Sequence, residues 1–243
     1  QRDLIAGEIS KSIARRKMIP AHLIHAHDEG LIHIHDLDYF IQSINNCCLI
    51  NLKDMLDNGT VINETLIETP HSFRTAATIT TQIVAQVASC QYGGQTFSTS
   101  HLAPYVRKSY DNYIKEVASE LYDCSFGNID SEIFKENVEK IARKRLKKEI
   151  ADGVQTIQYQ LNTLMTTNGQ SPFLSIAMWI NEDPEYEKEN AMIIEEILKQ
   201  RITGVKDKEG HYISPAFPKL LYFLDDNNAY EGSKYFYLTE LAA

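Results

Sequence analysis

Three short apolar segments alternate with long helical patterns along this chain. The segments, residues 46–52, 172–180 and 218–224, have the composition of buried strands. Helices are predicted over residues 2–17, 20–29, 73–90, 102–122, 131–152 and 187–202. Strands separated by helices predict an α/β fold with parallel strand pairs, because a long crossover is needed to return the chain to the same end of a sheet. No linker-like change in composition divides residues 1–243, so one domain is expected.

The charge balance limits the possible partners. Of the 243 residues, 43% are hydrophobic and 23% charged, as in an ordinary globular protein. The net charge of −9 argues against general binding to nucleic acid or to an anionic membrane. No apolar run reaches the ~18 residues of a membrane span, so neither a membrane nor a nucleic-acid partner is expected. Small anionic ligands remain compatible, because helix N-termini bind phosphate without net positive charge.

The cysteines and the chain ends indicate the compartment and the completeness of the chain. Cys47, Cys48, Cys90 and Cys124 have no CxxC spacing, and residues 1–8 do not form a signal peptide. Free thiols in a reducing cytoplasm are therefore expected. Both ends of the sequence lie within helical patterns, so we expect a fragment of a longer polypeptide.

Two adjacent thiols, Cys47 and Cys48, lie inside the first predicted strand. Because side chains alternate across a strand, the two thiols must face opposite ways and cannot act as one chelating pair. One is expected to face a core and the other a cavity. A cysteine in a strand is most often a small buried hydrophobe, so a packing role for both remains open.

The segment with His33, His35 and Asp36 is predicted to be a polar loop or a short extended piece. Two imidazoles at positions i and i+2 share one side of an extended segment, which allows a metal pair. No third ligand is placed by the sequence. Hydrogen bonds that fix the loop, the lining of a substrate cavity, or an acid–base unit formed by His35 and Asp36 are the alternatives.

Glu68 and His71 precede the helix predicted over residues 73–90, and Gln82 lies within it. Glu and Gln side chains can pair with the donor and acceptor edge of a nucleobase, and the helix N-terminus can offer N–H groups to an anion. The alternative is an acidic residue and a cap, Ser72, arranged only for helix stability.

A polar loop is predicted over residues 162–171, directly before the second strand. Its hydroxyls, amides and glycine suit the sugar or phosphate of a nucleotide, although it is neither a Walker A loop nor a GxGxxG sequence. An ordinary turn is the alternative.

Together these segments resemble the anaerobic (class III) ribonucleoside-triphosphate reductases, which are glycyl-radical enzymes. Several motifs in one order are more specific than any single motif. They are GLIHIHDLDY (30–39), NCCLINLK (46–53), IETP (67–70), QIVAQVAS (82–89), YGG (92–94), NTL (162–164), NGQSPF (168–173) and FPKL (217–220).

The resemblance implies the first half of a ten-stranded α/β barrel with surrounding helices, so that residues 1–243 form a partial catalytic barrel domain. It also implies a homodimer and a radical-SAM activating enzyme as partner. The ATP-cone, the finger-loop cysteine, the zinc-binding cysteines near the C-terminus and the glycyl-radical segment are absent from these residues. We therefore expect the chain alone to be inactive.

The same resemblance implies the reduction of ribonucleoside triphosphates to deoxyribonucleoside triphosphates by glycyl and thiyl radicals, with formate as reductant. Cys47 matches the cysteine that supplies hydrogen to C2′, and Cys48 matches a position that is commonly Met. His33, His35 and Asn46 would line the active-site region. Formate acetyltransferases use an adjacent Cys-Cys pair, but the surrounding motifs favour the reductase.

The resemblance further implies allosteric control of specificity by deoxynucleoside triphosphates or ATP. The base-reading residues carry over to Glu68, His71 and Gln82, although the position of His71 is often Lys. The loop between effector and substrate sites would contain Asn162, Thr163, Asn168, Gly169, Gln170 and Ser171. A nucleotide-binding and dimerisation module without catalysis is the alternative function.

Overall fold

The computed structural model describes residues 2–41, 47–91, 93–124, 132–165 and 172–243. Its strands are β1 (Cys48–Leu49), β2 (Thr60–Ile62), β3 (Thr65–Ile67), β4 (Gln95–Ser98), β5 (Leu174–Met178), β6 (Val205–Lys206), β7 (Tyr212–Ile213) and β8 (Lys219–Tyr222). Four of them form a parallel sheet in the order β1, β4, β5, β8, and β2–β3 and β6–β7 form two antiparallel hairpins. The predicted α/β fold with parallel strand pairs is confirmed.

The described part of the chain contains eight α-helices. They are α1 (Arg2–Ile13), α2 (Ala21–Asp28), α3 (Leu52–Asp57), α4 (Phe73–Cys90), α5 (Ala103–Cys124), α6 (Glu132–Thr163), α7 (Glu187–Thr203) and α8 (Phe236–Ala242). None of these helices is long and apolar enough to cross a membrane. α4 has the predicted bounds, whereas α6 continues for eleven residues beyond the predicted end at residue 152.

The longer α6 corrects the prediction that Asn162 and Thr163 belong to a loop. Both residues lie in the last turn of the helix. The Asn162 amide donates to the carbonyl of Gln158 at 2.7 Å, and the Thr163 hydroxyl donates to the carbonyl of Tyr159 at 2.7 Å. The apolar pattern continues beyond residue 152 through Val154, Ile157 and Leu161, all of which are buried, so the sequence carried the signal for this extension and the predicted end was too early.

The sheet has one face covered by helices and one open face. Cross-strand pairing aligns Cys48, Gln95 and Leu174 in one row and Leu49, Thr96, Ser175 and Lys219 in the next. Side chains of the first row are buried or half-buried against the helices, whereas Leu49 in the second row is 84% exposed. Strand alternation therefore divides the sheet into a core face and an accessible face.

α4 packs along α6 through small residues. Gly153 of α6 lies against the ring of Phe73, so that a Cβ atom at Gly153 would stand 2.5 Å from Phe73 Cε1 and 3.6 Å from Ala77 Cβ. Phe73, Ala76 and Ala77 are fully buried at this contact. The absent side chain at position 153 is what allows the two helix backbones to approach.

We expect Gly153→Ala to destabilise the fold, although alanine normally favours a helix interior. The methyl group would overlap the Phe73 ring, and overpacking of this kind costs about 1–3 kcal/mol. Gly7→Ala in α1 is the matched control, because its Cβ would meet Asp38 Cβ at 3.4 Å, an ordinary contact, and helix propensity favours it by up to about 1 kcal/mol. Urea titration followed by circular dichroism measures both. Equal stability of the two variants would contradict the close approach.

Candidate functional site

The two adjacent thiols differ in their surroundings. Cys47, directly before β1, is exposed, and Cys48 is half-buried and packs against the core. Burial raises the pKa of the Cys48 thiol, the neighbouring Cys47 adds to the rise, and a hydrogen bond with the Gln91 side chain opposes it. Cys48 is therefore held as a neutral packing residue. By strand alternation Cys47 lies on the same side as the exposed Leu49, on the open face.

Two small polar side chains share the open face of the sheet with Cys47. Thr96 of β4 and Ser175 of β5 are paired across the sheet, and both are half-buried. Gly94 precedes them, and its carbonyl accepts a hydrogen bond from Cys48 N at 3.1 Å. A Cβ atom at Gly94 would stand 2.9 Å from the Phe173 ring, so the backbone is tightly confined there. Sequence reasoning missed Thr96 because β4 was not predicted, and it missed Ser175 although alternation along the predicted second strand carries the signal.

A second polar cluster lies at the carboxyl ends of β4 and β5. The Ser98 and Ser100 hydroxyls both bond the same Glu182 oxygen, the latter at 2.7 Å, and His101 Nε2 lies 3.8 Å from Glu182. Burial lowers the pKa of His101, and the Glu182 carboxylate opposes that shift. His101 is therefore mainly neutral at pH 7. The carboxyl edge of parallel strands is where α/β proteins commonly bind ligands, and sequence reasoning did not single out these residues.

His33 and His35 lie close together, as their spacing suggested. The His33 ring centroid is 5.8 Å from that of His35 and 5.5 Å from that of His27, and His35 Nδ1 lies 2.6 Å from the Asp36 carboxylate. Both residues are exposed. Within the described ranges, no group of three or more His, Cys, Asp or Glu side chains could hold a metal ion. Asn46 lies outside the described residues, so the structure gives no contact between it and Cys47.

Glu68, His71 and Gln82 all have exposed side chains. Glu68 and His71 lie between β3 and α4, where the His71 carbonyl accepts a hydrogen bond from Asn112 Nδ2 at 3.0 Å. Gln82 lies roughly 15 Å further along the axis of α4. A ligand that contacts all three from one chain must therefore extend along the helix. Four predicted loop residues, Asn168, Gly169, Gln170 and Ser171, lie outside the described residues.

The N-terminus of α4 is not free to bind an anion. Three N–H groups of its first turn have no hydrogen-bond partner within the helix. Each of them already donates to a side chain of the protein. The pairs are Phe73 N with Ser109 Oγ at 2.8 Å, Arg74 N with Glu149 Oε1 at 2.9 Å, and Thr75 N with Ser72 Oγ at 3.2 Å. The structure therefore does not support the suggestion that these N–H groups receive a phosphate.

Comparisons with known proteins agree on one family. The family model described as anaerobic ribonucleoside-triphosphate reductase matches residues 1–243. Curated relatives of that name are 38% identical in Enterobacteria phage T4 and 37% identical in Escherichia coli, in each case over 100% of this chain. The chain covers 37% and 32% of those two relatives, so it spans about a third of their length.

Solved structures give the same fold. The anaerobic ribonucleotide reductase from Thermotoga maritima with dATP bound in the specificity site matches with a TM-score of 0.57 at 14% identity, over 91% of this chain and 35% of that one. The complex of that enzyme with dATP and CTP matches with a TM-score of 0.55 at 14% identity, over 82% and 33%. Because the family model covers the whole chain and the fold agrees, this chain belongs to the anaerobic ribonucleoside-triphosphate reductase family.

Proposed function

We propose that this chain is part of an enzyme that reduces ribonucleoside triphosphates to deoxyribonucleoside triphosphates by glycyl and thiyl radical chemistry. Family membership supports the reaction class. The observation that carries the assignment within the chain is Cys47, an exposed thiol on the open face of a parallel sheet. Reduction at C2′ needs a hydrogen donor that a ribose can reach, and the exposed thiol of Cys47 meets that requirement.

Within this proposal the two thiols have separate roles. Cys47 gives a hydrogen atom to C2′ of the ribose as water leaves, and Cys48 packs against the helices. His33, His35 and Asn46 contribute to the lining of the same region. A glycyl radical outside this chain supplies the oxidising equivalent when it is formed, and formate serves as the overall reductant. A radical-SAM activating enzyme is the corresponding partner, and the cytoplasm is the proposed location.

The shape of the sheet supports the ten-stranded barrel as the complete architecture. β1 and β8 are its outer strands, and each has an unpaired edge in the described part of the chain. Exposed apolar side chains, Leu49 and Leu221, lie on the open face. Unpaired edges and exposed apolar faces are normally covered in parallel sheets. We propose that the remaining two thirds of the protein cover them and contain the finger loop, the structural zinc site and the glycyl-radical segment.

α4 supports an effector site at a homodimer interface. The helix contains a single charged residue, Arg74, yet it presents a stripe of accessible side chains at helical spacing. The stripe consists of Thr75, Thr78, Gln82 and Gln86. An uncharged polar stripe on an acidic protein suits burial against a second copy. We propose that deoxynucleoside triphosphates or ATP bind beside it, that Glu68, His71 and Gln82 read the base, and that residues 164–171 link the effector site to the substrate site.

A nucleotide-binding and dimerisation module without catalysis is the second candidate. The uncharged stripe on α4 favours it, because that surface does not depend on Cys47. The two candidate functions differ in their dependence on Cys47: the reductase needs this thiol, whereas the binding module does not.

We expect Cys47→Ala in the intact reductase to lower nucleotide reduction by at least about 10³-fold, because no other donor replaces the hydrogen atom that the thiol supplies. Electron paramagnetic resonance should still detect the glycyl radical at its normal yield, since the activation step does not use Cys47. Product formation is measured from labelled CTP.

The matched control is Cys48→Ala, one residue away on the opposite face. It removes a half-buried thiol and should leave turnover within about threefold, since only packing changes. Unchanged activity of Cys47→Ala, or equal losses in the two variants, would contradict the separate roles of the thiols.

We expect Gln82→Ala to weaken the binding of deoxynucleoside triphosphates to the intact protein about tenfold, as the loss of one or two net hydrogen bonds predicts. Isothermal titration calorimetry measures the dissociation constant. Gln155→Ala, an exposed Gln on α6, is the control and should leave it unchanged. Equal affinities in the Gln82 variant and the unaltered protein would remove Gln82 from the effector site.

A further inference from the structure

Glu149 is a buried carboxylate that the proposed reaction does not use. It lies on α6 with 3% of its surface exposed. Its Oε1 atom accepts from Arg74 N of α4 at 2.9 Å and from Ser109 Oγ of α5 at 2.9 Å. The Ser109 hydroxyl in turn accepts from Phe73 N at 2.8 Å. A single carboxylate thus ties the first turn of α4 to two other helices.

Tyr113 of α5 completes this cluster. Burial raises its pKa to about 12, and its hydrogen bond to Glu149 adds to the rise, so the phenol remains a donor. A buried carboxylate is tolerated only where several donors satisfy it, and the positive end of the α4 dipole favours its charge. Displacement of α4 relative to α6 would take donors away from Glu149. The cluster therefore resists independent movement of the two helices.

Two further contacts join α4 to α6 along their length. Gly153 allows the close approach of Phe73, and the Thr81 hydroxyl donates to Gln160 Oε1 at 3.1 Å. Glu149, Gly153 and Gln160 lie at spacings of four and seven residues, which places them along one side of α6. The two helices are therefore held together from the start of α4 to the last turns of α6.

The joined pair is next in sequence to the proposed effector residues and to the proposed loop. His71 comes two residues before Phe73, and Gln82 follows Thr81 directly. α6 ends at Thr163, where residues 164–171 begin. A displacement at the start of α4 would therefore move α6 with it.

We propose that Glu149 is a positioning residue for effector control: it locks α4 to α6, so that a nucleotide bound beside α4 changes substrate preference through this joined pair of helices. This inference rests on the proposed effector site. Glu149 contacts neither the effector nor the substrate, and it acts only by fixing the first turn of α4.

The test uses the intact, activated reductase with Glu149→Gln. Gln has the same size and keeps one acceptor for Arg74 N, but it loses the charge, and its amide nitrogen cannot accept a bond. The ratio of CTP to GTP reduction is measured with and without dATP, and calorimetry measures dATP binding. We expect dATP affinity and effector-free turnover to stay within about threefold of the unaltered enzyme, while the dATP-induced change in the ratio falls at least about fivefold.

Two further variants separate this role from general stability. Glu139→Gln removes the same charge from the same helix at an exposed site paired with Arg143, and it should leave the dATP response unchanged. Ser109→Ala keeps the Glu149 carboxylate but removes its bridge to Phe73 N, and it should reduce the response as well. If Glu149→Gln does not fold, the Ser109 variant decides the question.

A full dATP response in Glu149→Gln, or in Ser109→Ala where the first variant does not fold, would overturn the proposed role of Glu149 and leave the effector site intact. An equal loss of response in Glu139→Gln would overturn it too, because any loss of charge on α6 would then suffice. Failure of dATP to bind the unaltered enzyme would instead refute the proposed effector site, and the role of Glu149 would fall with it.

Discussion

The one-sided cover of the parallel sheet is the constraint on which the rest of the molecule depends. Helices bury the face that carries Gln95, Phe97 and Ile176, and strand alternation then leaves every second side chain on the accessible face. Two neighbouring cysteines consequently have different chemistry: burial makes Cys48 a core side chain, whereas Cys47 remains accessible. A one-residue shift in the register of β1 would exchange these roles, so the pairing of β1 with β4 determines which thiol can react.

The sequence predicts most helices of this fold, because apolar residues recur every three to four positions over many turns. It does not reveal β4, since two of its four residues, Gln95 and Ser98, are polar side chains that become buried only in the folded sheet. The β2–β3 hairpin is missed for another reason. Its turn residues, Asn63 and Glu64, have φ angles of 49° and 63°, where a glycine would normally signal the turn.

Some of the site residues could likewise be predicted from the sequence, and others could not. Strand alternation was enough to predict that Cys47 and Cys48 face opposite ways, because that property is local. Glu149 follows a run of basic residues that indicates a solvated helix face, and nothing local indicates that it is buried. Its environment is created by Ser109, forty residues away, and by Arg74, seventy-five residues away. Networks that depend on such distant partners cannot be predicted from spacing in one sequence.

The internal capping of α4 also bears on the proposed contact with a second copy of the protein. Because these 243 residues carry a net charge of −9, a surface almost free of charge suits the proposed contact better than the rest of the chain. α4 has only Arg74, and Asp152 lies 3.6 Å from that guanidinium. Glu149 supplies the negative charge that the start of the helix favours, but it does so from the buried side. Apart from Arg74, the exposed side of α4 is therefore left uncharged, and a nucleotide proposed to bind there would be recognised by the side chains of Glu68, His71 and Gln82 rather than by the helix N-terminus.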